Sequence, residues 1–270
     1  MPMTPKLVMN DGRAIPAIGF GTYLVPDDEA PRVTREALDI GYTLVDTAAF
    51  YDNERGVAEG LEGRDDVFVT TKLWRDDLGY DSALRAFDQS LAKLGRDHVD
   101  LYLIHWPMPA LGTYVDTWRA LVRLREEGRA KSIGVSNFSP DHLRVIIDAT
   151  GTVPALNQIE LHPGFQQRAL REFHAAHGIV TQSWGPLGQG TLLTNPAILR
   201  TAEARGCTPA QVILAWHLHH GLAVIPKASA RERLAANLAA DRIRLEAEDI
   251  ATIDALDDAG GRLGPDPDQF

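Results

Sequence analysis

The feature that most constrains this chain is an alternation. Short apolar, β-rich runs are separated by amphipathic helical stretches, and the pattern recurs eight times. The runs are Gly19–Gly21, Thr43–Asp46, Val67–Leu73, Val99–Ile104, Ser132–Val135, Ala155–Ile159, Ile179–Ser183 and Ala223–Ile225. Alternation of this kind points to successive βαβ units and a parallel sheet. Leu101-Tyr102-Leu103-Ile104 is apolar at every position, as a strand covered on both faces must be. Ahead of them, Lys6 to Ile18 reads as a hairpin turning at Asn10-Asp11-Gly12.

The intervening stretches carry helix punctuation. From Ser82 to Leu94, Leu84, Phe87, Leu91 and Leu94 form one stripe that stops at Gly95. Tyr114, Trp118, Leu121 and Val122 form another before Gly128. Ser139-Pro140 and Thr208-Pro209 read as N-caps followed by proline at the first helical position, and Gln211 completes a capping box with Thr208. Eight strand–helix units in 270 residues, with no linker or compositional break, fit one α/β domain spanning residues 1–270. We expect a (β/α)8 TIM barrel preceded by a β-hairpin. A doubly wound open sheet is the alternative, and the absence of a midpoint break counts against it.

Composition narrows the function. A formal charge of −10 argues against a nucleic-acid or anionic-membrane surface, which would need a broad basic face. Any anionic ligand must then be held by a local cluster of cations. The single cysteine, Cys207, fits a reducing compartment. Met1-Pro2-Met3-Thr4-Pro5-Lys6 has no apolar core of signal-peptide length. Gly206–Pro226, free of acidic and basic residues apart from three histidines, carries two prolines and reads as a buried helix and strand rather than a membrane span. The expectation is a cytoplasmic protein.

In a barrel of this type, chemistry sits at the carboxyl ends of the strands. Those ends are Asp46, Lys72, His105, Ser136 with Asn137, Gln158, Trp184 and Lys227. Taken singly, each has a bland reading: Asp46 a helix cap, Lys72 a solvated strand end, His105 a core histidine, Tyr51 a surface aromatic. Taken together they complement one another. A free tyrosine ionises near pH ~10. A neighbouring ammonium lowers that value, and a carboxylate holds the ammonium in place. A histidine can then orient a carbonyl oxygen or share proton delivery. Four such groups on one rim would make an acid that protonates a carbonyl oxygen while hydride reaches its carbon.

These residues also carry a family resemblance. The segment from Gly41 through Asp46-Thr47-Ala48-Ala49-Phe50-Tyr51-Asp52-Asn53-Glu54 resembles the aldo-keto reductase segment bearing the catalytic aspartate and tyrosine. Thr71-Lys72-Leu73-Trp74 resembles the lysine segment, and Leu103-Ile104-His105-Trp106-Pro107 the histidine segment. Lys131-Ser132-Ile133-Gly134-Val135-Ser136-Asn137-Phe138 is similar to a further signature. Gln182-Ser183-Trp184-Gly185-Pro186-Leu187-Gly188-Gln189-Gly190 looks most like the bacterial 2,5-diketo-gluconate reductase group. The motifs run in order along the chain.

The resemblance implies an NADPH-dependent carbonyl reductase. Tyr51 would be the general acid, tuned by Lys72 and Asp46, with His105 orienting the carbonyl. Ser136, Asn137 and Gln158 would hold the nicotinamide carboxamide, and Trp184 would stack on the ring. Leu187 and Gln189 would approach the pyrophosphate, and Thr22 the cofactor at the first strand's end. Ile225-Pro226-Lys227-Ala228-Ser229-Ala230-Arg231-Glu232-Arg233 resembles the segment for the adenosine 2′-phosphate, with Lys227, Ser229 and Arg233 as contacts and Asn237 near the adenine. Ala228 and Ala230 stand where hydroxyls are common, and Ala236 where a glutamate is. Relaxed use of NADH is therefore expected. Tyr23, Phe50, Trp74 and Trp106 would line the substrate mouth, Tyr23 at a place where tryptophan is common. The short connection from Pro107 to Asp116 and an apolar-poor segment after Leu256 suggest an open site for small carbonyls or sugar ketoacids.

Three negative readings complete the sequence. Gly19-Phe20-Gly21-Thr22 starts like a dinucleotide fingerprint, but Leu24 stands where its third glycine belongs. His217 and His219 lie about 200° apart on an ideal helix, which argues against a shared metal. A cofactor-sensing protein on the same scaffold is the second functional reading, disfavoured by the complete Asp46–Tyr51–Lys72–His105 set.

Overall fold

A computed structural model describes residues 5–270; the opening Met1–Thr4, part of the segment read above for a leader, lies outside the described residues. The chain begins with an antiparallel hairpin, β1 (Lys6–Val8) and β2 (Ala14–Pro16). Eight parallel strands follow: β3 (Phe20–Gly21), β4 (Leu44–Asp46), β5 (Phe68–Leu73), β6 (Val99–Ile104), β7 (Ala130–Ser136), β8 (Leu156–Glu160), β9 (Val180–Trp184) and β10 (Ala223–Val224). Each pairs with its neighbours in chain order. A parallel bridge between Ile18 and Val224, with Gly19 N–H donating to Val224 O at 2.8 Å, joins the last strand to the first. The sheet thereby closes into the expected (β/α)8 barrel.

Closure needs glycine at this seam. A Cβ on Gly21 would stand 2.5 Å from the Ile225 carbonyl oxygen, so a side chain there would hold the two strands apart.

The helices between the strands are α1 (Ala30–Ile40), α2 (Glu54–Leu61), α3 (Tyr80–Leu94), α4 (Tyr114–Glu126), α5 (Pro140–Thr150), α6 (Arg168–Ala176), α7 (Pro196–Arg205) and α8 (Pro209–His219), and α9 (Arg231–Leu238) and α10 (Ala247–Asp254) follow the last strand. The punctuation read from the sequence is where they stop and start. Gly95 ends α3 in the left-handed conformation (φ 62°), and Thr208 and Gln211 form a reciprocal capping box on α8.

Two apolar regions result. One fills the space between sheet and helices, with Phe20, Tyr102, Trp118, Phe138 and Trp216 buried in it. The other occupies the barrel interior: Leu44, Leu101, Leu103, Leu156, Val180 and Ile225 point inward, and Met9 and Ile15 of the hairpin pack against them. Strand side chains alternate with period two, so the inward positions continue upward in a fixed register. Above Leu44 comes Asp46, above Leu103 His105, above Leu156 Gln158 and Glu160, above Val180 Gln182 and Trp184, and above Ile225 Lys227. The apolar floor thus decides which polar groups reach the carboxyl-end mouth.

Candidate active site

Lys72 is the centre of the mouth. Its side chain is fully buried, and its ammonium donates to Asp46 Oδ1 at 2.5 Å, to the Thr47 carbonyl at 2.9 Å and to the Tyr51 hydroxyl at 3.3 Å. Three donors therefore have three acceptors, which a buried ammonium requires. Asp46, also buried, accepts on its other oxygen from Gln158 Nε2 at 2.8 Å. Gln158 in turn donates to Gln182 Oε1 at 2.7 Å. A carboxylate and an ammonium are thereby stored without water in one hydrogen-bonded cluster.

Tyr51 reaches this cluster from a short 3-10 turn, Ala49–Tyr51, after β4. Asn53 sets that turn. Fully buried, it accepts from Thr47 Oγ1 at 2.7 Å and donates to the carbonyls of Thr22 and Val25 at 3.0 and 2.9 Å. The loop bearing Tyr51 is thus tied to the loop after β3, and Thr22 itself donates to the Asp46 carbonyl at 3.0 Å.

Burial governs the proton affinities. Burial pulls the Lys72 ammonium down, but Asp46 and Tyr51 outweigh it and hold its pKa above the ordinary value. For Tyr51 the balance differs from the sequence expectation. Lys72 does lower its pKa, yet burial acts more strongly and the phenol ends above its ordinary value. The enclosure that positions the hydroxyl also removes the water a phenolate needs. Tyr51 accordingly carries its proton at neutral pH. Burial, reinforced by the Lys72 charge, drives the His105 pKa well below the usual value, so its imidazole is neutral. Its Nδ1 is buried with no hydrogen-bond partner among the described residues.

Aromatic rings build the walls. Tyr51 and His105 meet edge to face at 5.6 Å between centroids, and Tyr23 lies 5.1 Å from Tyr51. Phe50 stacks on Trp74 at 3.9 Å, and Trp74 meets His105 at 5.2 Å. Trp106 packs against Phe270, with centroids 4.7 Å apart. The segment 257–270 therefore covers the Trp106 side of the mouth, while the Tyr23 and Phe50 side stays exposed, as an open site requires. It docks through its main chain, the Phe270 ring and the charged side chains of Asp257, Arg262 and Asp268, so its shortage of apolar side chains did not signal that contact. Leu263 N–H and Gly264 N–H donate to the Glu160 carboxylate at 2.6 and 2.8 Å.

Beside this cluster, Ser136 Oγ donates to the Gln158 carbonyl at 2.7 Å. Asn137 adopts a left-handed conformation (φ 62°), donates to the His105 carbonyl at 3.0 Å and accepts from Trp184 Nε1 at 2.7 Å. Ser136, Asn137, Gln158 and Trp184 thus form one bonded tier around Asp46 and His105. Leu187 is half-buried and Gln189 exposed on the turn after β9, where Gln189 and Gly190 take positive φ.

The cationic segment is a separate place. Lys227, Arg231 and Arg233 are exposed and, among the described residues, have no acidic partner within 4 Å. They flank the start of α9, whose N-cap, Ala230, offers no side-chain acceptor to the free N–H groups. Ser229 is half-buried there, Ala228 is buried in the outer core, and Asn237 is buried on α9. Sequence reasoning missed Asn53, Glu160, Gln182 and Phe270. Period-two counting reaches Glu160 onward from Gln158 and Gln182 between Val180 and Trp184, but Asn53 and Phe270 carry no such signal.

Comparison with known proteins agrees with the fold. The Aldo/keto reductase family model matches residues 17–258. An aldo-keto reductase of Mycolicibacterium smegmatis is 49% identical over 99% of this chain and 98% of its own. Methylglyoxal reductase DkgA of Escherichia coli is 44% identical over 97% of this chain and 96% of its own. Among solved structures, a variant of Gox0644 in complex with NADPH superposes with a TM-score of 0.98 at 52% identity, covering 99% of this chain and 98% of that one. With its closed barrel and the matched length, the chain belongs to the aldo/keto reductase family.

Proposed function

We propose that this oxidoreductase uses NADPH to reduce aldehydes or ketones, with Tyr51 as the proton donor. The single observation that carries the reading is the Tyr51 hydroxyl, protonated by burial and held 3.3 Å from a buried, fully paired ammonium. A donor must hold its proton until the carbonyl oxygen gains charge, and Lys72 stabilises the phenolate that is left. Neutral His105 orients the carbonyl oxygen by donating a hydrogen bond rather than competing as an acid. Asp46 keeps Lys72 charged and in place. When bound, the reduced nicotinamide supplies the hydride.

The residues present fit such a cofactor. Lys227 and Arg233 offer cations with no acidic partner among the described residues, beside a helix start with free N–H groups, the chemistry a phosphate monoester needs. Ser229, Arg231 and Glu232 are the remaining polar groups on that segment, and Asn237 would meet the adenine end. Ser136, Asn137 and Gln158 would hold the carboxamide, Trp184 the ring, Thr22 the cofactor at the first strand's end, and Leu187 and Gln189 the pyrophosphate. Ala228 and Ala230 remove two hydroxyls, so we expect NADPH preference with some use of NADH.

The substrates would be small carbonyl compounds or sugar ketoacids, bounded by Tyr23, Phe50, Trp74 and Trp106. DkgA of Escherichia coli, a methylglyoxal reductase by name, supports a small dicarbonyl among them. The test is a panel of aldehydes, ketones and sugar ketoacids, with oxidation of NADPH and of NADH followed in parallel. Carbonyl-dependent oxidation with higher kcat/KM for NADPH is expected. Cofactor binding without turnover on any carbonyl would instead favour the sensor reading, and an NADH preference would overturn the cofactor assignment.

A further inference from the structure

The mouth contains a buried carboxylate that the proposed reaction does not use. Glu160 ends β8 on the same inward face as Gln158, one step nearer the opening. Its side chain is 2% exposed, and among the described residues no lysine or arginine lies within 4 Å of it. A charge so enclosed is costly unless strong donors hold it. Three do: Leu263 N–H at 2.6 Å, Gly264 N–H at 2.8 Å and the His162 ring at 3.2 Å. Two of the three come from the segment 257–270.

What that segment touches gives the tie its meaning. Gly264 sits so close to Trp184 that a Cβ there would stand 2.5 Å from Cη2 of the indole. The same indole donates to Asn137. Further on, Phe270 packs on Trp106, the residue after His105. The segment thus covers both flanks of the reacting corner, with its closest polar anchor at Glu160. Its other ties lie further back, where Asp257 accepts from Gln166 N–H and from Arg168 and Asp258 N–H donates to the Gly164 carbonyl, or to the side, where Arg262 lies 4.7 Å over the Phe165 ring and His142 lies 3.6 Å from Asp268.

We propose that Glu160 is a positioning residue that fixes residues 262–270 as the substrate-side wall, and thereby sets affinity for carbonyls large enough to touch Phe270 and Trp106. This rests on the carbonyl-reductase reading above. Because Glu160 acts through the wall, its loss should move KM more than kcat, and large substrates more than small ones. Cofactor affinity should not change.

The experiment compares the native protein with Glu160→Ala, Glu160→Gln and Gly264→Ala. The last keeps the carboxylate but pushes the wall away, since its methyl would stand 2.5 Å from the Trp184 indole and 3.0 Å from Glu160 Oε2, and Gln keeps one acceptor oxygen should Ala fold poorly. Hydrogen exchange of the peptide spanning 259–270 is read without substrate. NADPH affinity is then measured, with kcat and KM for a small aliphatic and a bulky aromatic aldehyde. In Glu160→Ala, exchange at residues 262–270 should quicken by about tenfold or more, the effect of losing charge-assisted hydrogen bonds. KM for the aromatic aldehyde should rise several-fold, with kcat, NADPH affinity and the small-aldehyde KM unchanged. Glu160→Gln should fall between Ala and native, and Gly264→Ala should reproduce the KM effect. Unchanged exchange would overturn the proposal. So would faster exchange with an unchanged aromatic KM, or equal losses on both aldehydes. If the native protein reduces no carbonyl, the functional reading fails, and the exchange data alone decide whether Glu160 holds the segment.

Discussion

Two parts of the barrel mouth are built on opposite principles. Around β4, β5 and β6, Asp46 and Lys72 are buried and satisfy each other's hydrogen bonds within the protein. At β10 and the start of α9, Lys227, Arg231 and Arg233 are exposed and lack acidic partners among the described residues. The first region is complete before any ligand arrives; the second is a set of charges still to be paired. A proton donor needs its surroundings fixed in advance, because reorganisation during the reaction would raise the barrier. A docking site for a large anion gains instead from charges that stay solvated until the ligand replaces water. The formal charge of −10 is compatible with both, since the positive field is confined to one segment.

The largest way to break this contrast is at Lys72. Lys72→Met leaves Asp46 buried without its counter-charge and should cost about 3–5 kcal/mol of stability. Carbonyl reduction should fall by about a hundredfold or more. Denaturant melts and turnover check both, and a stable, active variant would show that the buried pair is dispensable. Next comes Arg233→Ala. NADPH affinity should drop by roughly ten- to a hundredfold, the effect of one lost hydrogen bond to a charged group, with kcat and NADH affinity unchanged. Equal losses for NADH and NADPH would move the phosphate site elsewhere.

A smaller effect tests burial itself through pH, at His105 in the first region and at two histidines outside both. Burial pulls His174 down to about 3, His217 down to about 4 and His105 well below its usual value. The unfolded chain takes up protons near pH 6.5, where these folded groups do not. Their contribution is therefore fully present above about 6.5 and lost as pH falls towards the folded values, at up to about 1.4 kcal/mol per unit and group. Urea midpoints between pH 7 and 4 should decline, and His174→Gln should flatten the decline. The smallest effect is salt: raising ionic strength should weaken NADPH binding at the exposed cations while leaving kcat unaltered, because screening acts over about 10 Å at 0.1 M.

All eight barrel strands were legible because each is an apolar run bounded by helix punctuation. Their place at strand carboxyl ends made Asp46, Lys72 and His105 legible as candidates. Tyr51 was legible from the family resemblance, since it sits on a turn outside any strand pattern. Glu160 was lost by a one-residue boundary: the sequence reading ended the strand at Ile159, whereas β8 runs to Glu160. The covering of the mouth was lost for a different reason. It is made by main-chain N–H groups meeting a carboxylate and by a ring 164 residues beyond Trp106, and neither leaves a periodic trace. The upward shift of Tyr51 needed the degree of burial, which charge complementarity in sequence does not reveal.

The central claim is that a protonated Tyr51, prepared by Lys72, delivers the proton. Its most direct test is Tyr51→Phe, with NADPH affinity followed by tryptophan fluorescence and single-turnover reduction of an aldehyde followed in parallel. Binding should match the native protein while the reduction rate falls by about two to four orders of magnitude. A variant that binds NADPH and reduces the aldehyde at the native rate would contradict the account.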